Sequence, residues 1–83
     1  MARRIGYKVY VDVTARFCDD GRLLPLSFVW EDGTRFSIDR ILGHQRMASR
    51  KAGGCGEMYL CVVGGRRVHL YYEGNYLWFL EAR

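Results

Sequence analysis

Proline and long apolar runs are both scarce in this chain, and with the composition they exclude two classes of protein. The sequence has one proline, and 49% of its residues are hydrophobic, whereas disordered segments are poor in apolar groups. No apolar run approaches the roughly 18 residues that a transmembrane helix needs, and no segment carries an apolar stripe of helical period. We therefore expect a folded domain without a membrane span.

Cysteines are also few, and their number is odd. Three cysteines fit a reducing compartment better than a disulfide framework. Near the N-terminus, Arg3 and Arg4 are not followed by an apolar stretch of signal-peptide length, because Lys8 and Asp12 interrupt residues 7–13. The sequence predicts a cytoplasmic protein.

The dominant hydrophobic period is two, which is typical of half-buried β-strands. The six predicted strands lie at residues 7–17, 24–31, 36 onwards, 58–63, 66–73 and 76–81. Turn signals separate them, of which Asp32-Gly33 and Gly64-Gly65 are typical of hairpins, and residues 73–75 predict another turn. On the second strand the pattern places Leu24, Leu26 and Phe28 inward.

The third strand is the least regular. Ile41 and Leu42 are adjacent apolar residues, so the alternation breaks near Arg40, and a bulge or bend is expected there. Residues 45–52 have the propensity for about two helical turns, but they lack an apolar stripe and favour a strand continuation or a loop. The glycines at residues 53–56 predict a break.

No helix is available to cover this sheet, so the sheet has to close on itself or fold into two layers. The first strand would span about 36 Å at 3.3 Å per residue, which forces it to curl within a domain of this size. The prediction is one domain, residues 1–83, built as a small six-stranded antiparallel barrel or roll. An SH3-like barrel is preferred over an OB-like one, which usually places a helix between its third and fourth strands.

The excess of positive charge is local. The net charge is +4, with 13 basic and 9 acidic residues, and residues 40–56 contain four basic residues and no acid. These are Arg40, Arg46, Arg50 and Lys51. Such a segment fits either a contact with phosphates or acidic surfaces or a solvated loop. Arg66 and Arg67, at a predicted hairpin tip, allow the same two interpretations.

Several aromatic residues fall on the strand phase opposite the predicted core. They are Tyr10, Tyr59, Tyr71, Tyr76 and Trp78. Aromatics at such positions either pack at the rim of a small barrel or stack against bases of single-stranded nucleic acid, and proline-rich peptides dock on similar grooves. The predicted contact residues are therefore Arg40, Arg46, Arg50, Lys51, Arg66, Arg67, Tyr59, Tyr71 and Trp78.

The sequence predicts no catalytic, cofactor or metal site, and hence no enzyme. The soft metal ligands are Cys18, His44, Cys55, Cys61 and His69, and none of them forms a pair at the spacing of two to four residues that structural zinc sites use. Cys55 is the best candidate thiol because glycines flank it and basic residues precede it, but nothing fixes the distance to a base. Residues 51–56 do not match a P-loop.

Four segments resemble a group of small uncharacterised β-rich proteins of Gram-positive bacteria. They are residues 25–40, with the sequence PLSFVWEDGTRFSIDR, and residues 51–56, 59–62 and 78–81. The closing Trp-Phe-Leu-Glu also resembles the end of a family of domains of unknown function. The resemblance implies a compact β-rich fold of bacterial origin and no known activity, cofactor or site residue.

Two functions remain open at this point. The first is a non-enzymatic binding module that contacts nucleic acid or an acidic protein through the basic segment and exposed aromatics, with binding that weakens as salt rises. The alternative is a protein-interaction or homo-oligomeric assembly module, such as a homodimer, without nucleic-acid binding. Residues 58–63 motivate the alternative because they carry apolar groups on both faces.

Overall fold

The described part of the chain folds into eight strands that belong to one antiparallel sheet. The computed structural model describes residues 3–48 and 55–81, and none of these forms a helix, so no helix of this part could cross a membrane. The strands are β1 Arg3–Ile5, β2 Lys8–Phe17, β3 Leu23–Val29, β4 Arg35–Ser37, β5 Arg40–Ala48, β6 Cys55–Val63, β7 Arg66–Gly74 and β8 Leu77–Glu81.

The sheet curls into a half-barrel. Its strand order is β4-β3-β2-β8-β7-β6-β5, and β1 pairs with the first part of β2. Neighbours in the sheet are consecutive along the chain except for β2 and β8, whose pairing brings the last strand beside the long second one and rolls the sheet. The all-β, antiparallel and barrel-like predictions are confirmed. The predicted number of six strands is wrong.

The two additional strands have local causes. Gly6, at φ +60°, opens a two-residue turn that folds β1 back onto β2. The predicted third strand is divided into β4 and β5 because the chain changes neighbours between them. The amide of Ile38 donates to the carbonyl of Leu26 in β3, and the amide of Asp39 donates to the carbonyl of Val62 in β6. The chain thus passes from one side of the half-barrel to the other within two residues.

Two of the three bulges in the described sheet change which of the predicted side chains point inward. Along β2 and β3, Thr14 pairs with Ser27 but Ala15 pairs with Pro25, so Leu26 is an extra residue. Pro25 is consequently buried and Leu26 is 46% exposed, and the prediction that Leu26 points inward is wrong. The second bulge, at Leu42 between β5 and β6, confirms the predicted break.

The core lies on the inner face of the sheet. Its buried members are Val9, Val11, Phe28, Tyr59, Cys61, Val63, Leu70, Trp78 and Leu80. The Tyr59 hydroxyl donates a 2.6 Å hydrogen bond to the carbonyl of Leu23, which joins β6 to β3 across the half-barrel. This bond satisfies the one polar atom that the side chain of Tyr59 brings into the interior.

Two-residue turns connect the last three strands. Gly64 and Gly65, at φ +57° and +79°, form the predicted hairpin turn. Asn75 and Tyr76 form the next one, at φ +53° and +66°, so the turn falls one residue later than predicted and Tyr76 is not part of β8. The predicted break at residues 53–56 lies partly outside the described residues, and β6 already includes Cys55 and Gly56.

Candidate nucleic-acid interface

Two of the predicted arginines lie side by side on the outer face. Cys61 is buried on the inner face, so its neighbour Val62 points outward. Val62 pairs with Arg40 on β5 and with Arg67 on β7. Both arginines are exposed, and their Cα atoms are about 10 Å apart, two strand spacings. Residues far apart in sequence therefore form one basic site.

Strand β7 continues this site with two rings. Arg67, His69 and Tyr71 alternate along β7 and share its outer face. His69 is exposed and its ring centroid lies 6.4 Å from that of Tyr71. Tyr71, half-buried, stacks on Phe79 of β8 at 4.9 Å and 7° between ring planes. We call Arg40, Arg67, His69, Tyr71 and Phe79 the outer strip.

The far end of the outer strip is electrically balanced. Tyr10 pairs with Phe79, and its hydroxyl donates to Glu73 at 2.8 Å. Lys8 places its Nζ 3.2 Å from Glu73 and 4.8 Å above the Phe79 ring. Desolvation lowers the pKa of Lys8, but the hydrogen bond to Glu73 and its negative charge outweigh that effect, so the pKa lies above 10.5. Lys8 and Glu73 thus neutralise each other at this end of the outer strip.

The other predicted basic residues do not join one surface. Arg66 is exposed and adjacent to Arg67, but it pairs with the inward-facing Val63. Its Cβ atom therefore lies on the inner face, opposite to that of Arg67. Arg46 pairs with Glu57, and both alternate in step with the inward-facing residues of their strands. Arg46 lies six residues after Arg40 on β5. The prediction that residues 40–56 present one basic surface is therefore wrong for Arg40 and Arg46. Arg50 and Lys51 lie outside the described residues.

A histidine near Arg46 packs at the rim of the inner face. The ring of His44 stacks on that of Tyr59 at 4.4 Å and 14°. Its Nε2 lies 3.2 Å from Oε1 of Glu57. Burial, and then the charge of Glu57, raises the pKa of Tyr59 to about 12. Tyr59 is thus a protonated hydrogen-bond donor over the whole physiological pH range.

The expectation that Tyr59 and Trp78 are exposed for stacking is wrong. They are 1% and 6% exposed and pack on each other at 5.6 Å between ring centroids. The sequence held a signal for Tyr59, because a two-residue turn at Gly64-Gly65 fixes the register that pairs Tyr59 with Leu70. Leu70 is next to Tyr71, which the alternation places opposite the core, so Leu70 points inward and Tyr59 must share its face. Alternation along the fifth predicted strand already places His69 on the same face as Tyr71.

The thiols and carboxylates of the described residues form no metal site: no three His, Cys, Asp or Glu side chains converge there. Cys61 is 1% exposed, and burial raises the pKa of its thiol to about 11. Cys18 is half-buried and is a free thiol. The side chain of Cys55, the candidate thiol, lies outside the described part of the chain.

Comparison with known proteins identifies no family. Protein-family models, curated proteins and solved structures all give no match to this chain. The resemblance to β-rich proteins of Gram-positive bacteria accordingly stays a prediction. Function has to be inferred from the geometry of the outer strip and of the strand edges.

Proposed function

We propose that this protein is a non-enzymatic module that binds single-stranded nucleic acid on its outer strip. The observation that supports the proposal is the alignment of Arg40, Arg67, His69 and Tyr71 on one sheet face. Small β domains bind single strands by stacking bases on aromatic side chains of a sheet while basic groups contact the phosphates. The outer strip supplies both kinds of group within a few side-chain lengths.

In the proposed complex, Tyr71 and His69 stack with bases and the arginines contact the backbone. Phe79 supports one face of the Tyr71 ring, so the ring is held in place before a base arrives, which reduces the entropy lost on binding. A duplex hides its base faces, and single strands should therefore bind more tightly than duplexes of the same length. Action in the cytoplasm and a bacterial origin belong to the same proposal.

We assign the half-barrel to the SH3-like class rather than the OB-like class. Two features support this assignment. The long β2 is shared by β8 and β3, as in barrels whose first strand bends between two sheets. An OB-like fold usually carries a helix after its third strand, whereas β5 continues as a strand to Ala48.

The proposal is tested by fluorescence anisotropy with short labelled single strands and duplexes. If Arg40 and Arg67 each neutralise one phosphate, the logarithm of the association constant should fall with a slope of about −1.4 against the logarithm of salt concentration. Affinity should then drop roughly sevenfold between about 50 and 200 mM salt. The double variant Arg40→Ala/Arg67→Ala should remove most of this slope.

Two further variants separate charge from stacking. Tyr71→Leu should weaken binding by about 1–3 kcal/mol at every salt concentration and leave the slope unchanged, because it removes a stacking platform and no charge. The control is Arg35→Ala, an exposed arginine on β4, outside the outer strip, which should bind as the wild type does. The proposal is wrong if no strand binds at low salt, or if Arg35→Ala weakens binding as much as the double variant.

The second candidate is homo-oligomeric assembly without nucleic-acid binding. It is favoured by large apolar side chains that remain exposed on single strands and turns, above all Phe17 at 68% and Tyr76 at 82%. Isolated exposed apolar residues are normal. Tyr76 lines a cleft with residues 10–13 of β2, and Phe17 ends the same strand.

A further inference from the structure

One edge of β2 lacks a partner along more than half of its length. On its first edge, β1 pairs with Lys8–Tyr10 and β3 pairs with Asp12–Phe17. On its second edge, β8 pairs with Lys8–Val11 only. Among the described residues, no strand lies against residues 12–17 on this second edge. An unpaired edge presents backbone N–H and C=O groups that can pair with another strand.

The exposed side chains of this segment are complementary to the same side chains of a second, antiparallel copy. Asp12, Thr14 and Arg16 alternate along β2 and are all exposed on one face. In an antiparallel pair of two copies centred on Thr14, Asp12 of each copy stands opposite Arg16 of the other. Opposite charges and paired threonines at directly facing positions stabilise antiparallel strands. Neither the Asp12 nor the Arg16 side chain has an ion pair with any other described residue.

The same register also brings the exposed ring of Phe17 close to a cleft of the other copy. In this register Phe17 of the second copy reaches the start of β8, beside an open cleft of about 500 Å³ that Val11 helps to line. Tyr76 and Leu77 line the other side of that cleft and are 82% and 37% exposed. Phe17 is itself 68% exposed. Pairing of the two edges would thus bury the exposed ring of each copy in the cleft of the other.

We infer that the protein forms a two-fold symmetric dimer by antiparallel pairing of residues 12–16 of β2. The interface is isologous, since the same edge serves both copies. It combines backbone hydrogen bonds, two Asp12–Arg16 pairs and the insertion of Phe17. The dimer does not depend on nucleic-acid binding, because Arg40 lies on β5 at the far end of the strand order and Arg67 lies on β7, which β8 separates from β2.

Charge reversal at the edge tests the inference by sedimentation equilibrium over a range of protein concentrations. The wild type should show a concentration-dependent dimer. Asp12→Arg or Arg16→Asp alone creates two like-charge pairs per dimer and should raise the dissociation constant about tenfold. The double variant Asp12→Arg/Arg16→Asp restores opposite charges in both pairs and should return the dissociation constant close to the wild-type value.

Three further variants complete the experiment. Arg35→Asp makes the same charge change as Arg16→Asp on exposed β4 and should leave the dissociation constant unchanged. Phe17→Ser should weaken association without a change of charge. Arg40→Ala/Arg67→Ala, designed to reduce nucleic-acid binding, should leave association unchanged. Circular dichroism of each variant confirms that it is folded.

Each outcome decides for or against the β2 dimer. Weaker association in both single charge variants, recovered in the double variant, supports it. A wild type that stays monomeric at every concentration overturns it. A dimer that the single variants leave intact, or that the double variant fails to restore, also overturns it, because the two copies would then be joined through another surface.

Discussion

Replacing Tyr76 with glycine should stabilise the protein although it removes a large aromatic side chain. Tyr76 adopts φ +66°, a left-handed conformation that side chains with a Cβ atom disfavour. Its side chain is 82% exposed, so little packing is lost on truncation. Its backbone N–H, which donates to the Tyr72 hydroxyl at 3.2 Å, is retained. With glycine after Asn75, the turn also acquires the Asn-Gly pair that this type of hairpin turn prefers.

The expected gain follows from two opposing free energies. A left-handed conformation costs a residue other than glycine roughly 1–2 kcal/mol, and this cost disappears in Tyr76→Gly. Glycine in turn loses about 0.5–1 kcal/mol more conformational freedom on folding. The net gain is about 0.5–1 kcal/mol, which corresponds to a rise in Tm of about 2–8 °C for a domain of this size.

Thermal unfolding followed by circular dichroism measures this rise, at a protein concentration low enough for dimerisation to add nothing. Tyr76→Ala removes the ring but keeps a Cβ atom in the left-handed region, so it should give no gain. Asn75→Gly should change Tm little, because asparagine already tolerates a positive φ. A lower Tm in both Tyr76 variants would refute the reasoning, since it would show that the ring itself stabilises the folded chain.

Two further predictions concern the core. Leu70→Ala should lower the free energy of unfolding by about 2–5 kcal/mol in urea titrations, because Leu70 is 0% exposed, whereas Leu42→Ala, at a bulge residue that is 43% exposed, should cost far less. The free energy of unfolding should also fall as pH rises above about 9, because burial raises the pKa of Cys61 to about 11 and that of Tyr59 to about 12. Both raised pKa values favour the protonated form in the folded chain, so their stabilisation is complete below the unfolded pKa values of 9.0 and 10.0 and is lost above them. Cys61→Ala should remove the part of this loss that begins at the lower pH, and urea titrations that show no decline up to pH of about 11 would contradict the assignment.

The strands and turns could be predicted because each depends on neighbours in sequence. Alternation of apolar and polar residues fixes β2 and β7 locally. The glycines at positions 64 and 65 fix a turn through their positive φ. From that turn, the pairing of β6 with β7 follows by counting, which is enough to place Tyr59 and Leu70 on one face. The turn residues therefore predict which side chains of β6 and β7 share a face, which alternation within a single strand does not.

The bulge at Leu26 and the divided third strand could not be predicted, because each depends on residues distant in sequence. Leu26 is extra only relative to the partner strand, where Thr14 and Ala15 are consecutive. The division between β4 and β5 depends on backbone bonds from Ile38 to β3 and from Asp39 to β6. Asp39 also accepts a hydrogen bond from the amide of Gly64, which fixes the crossing. The pattern of apolar residues within positions 35–48 does not indicate that the chain bonds to β3 and then to β6.

The arrangement of the basic residues shows how one bulge changes a functional surface. Arg40 and Arg46 are six residues apart, and an even spacing on a regular strand would place both on the same face. The extra residue at Leu42 reverses the phase between them. Arg46 then stands opposite Glu57 on the phase of the inner face, while Arg40 faces outward in line with Arg67. If Leu42 were instead paired regularly with β6, Arg46 would share the outer face with Arg40, so the bulge decides which charges a nucleic acid could contact.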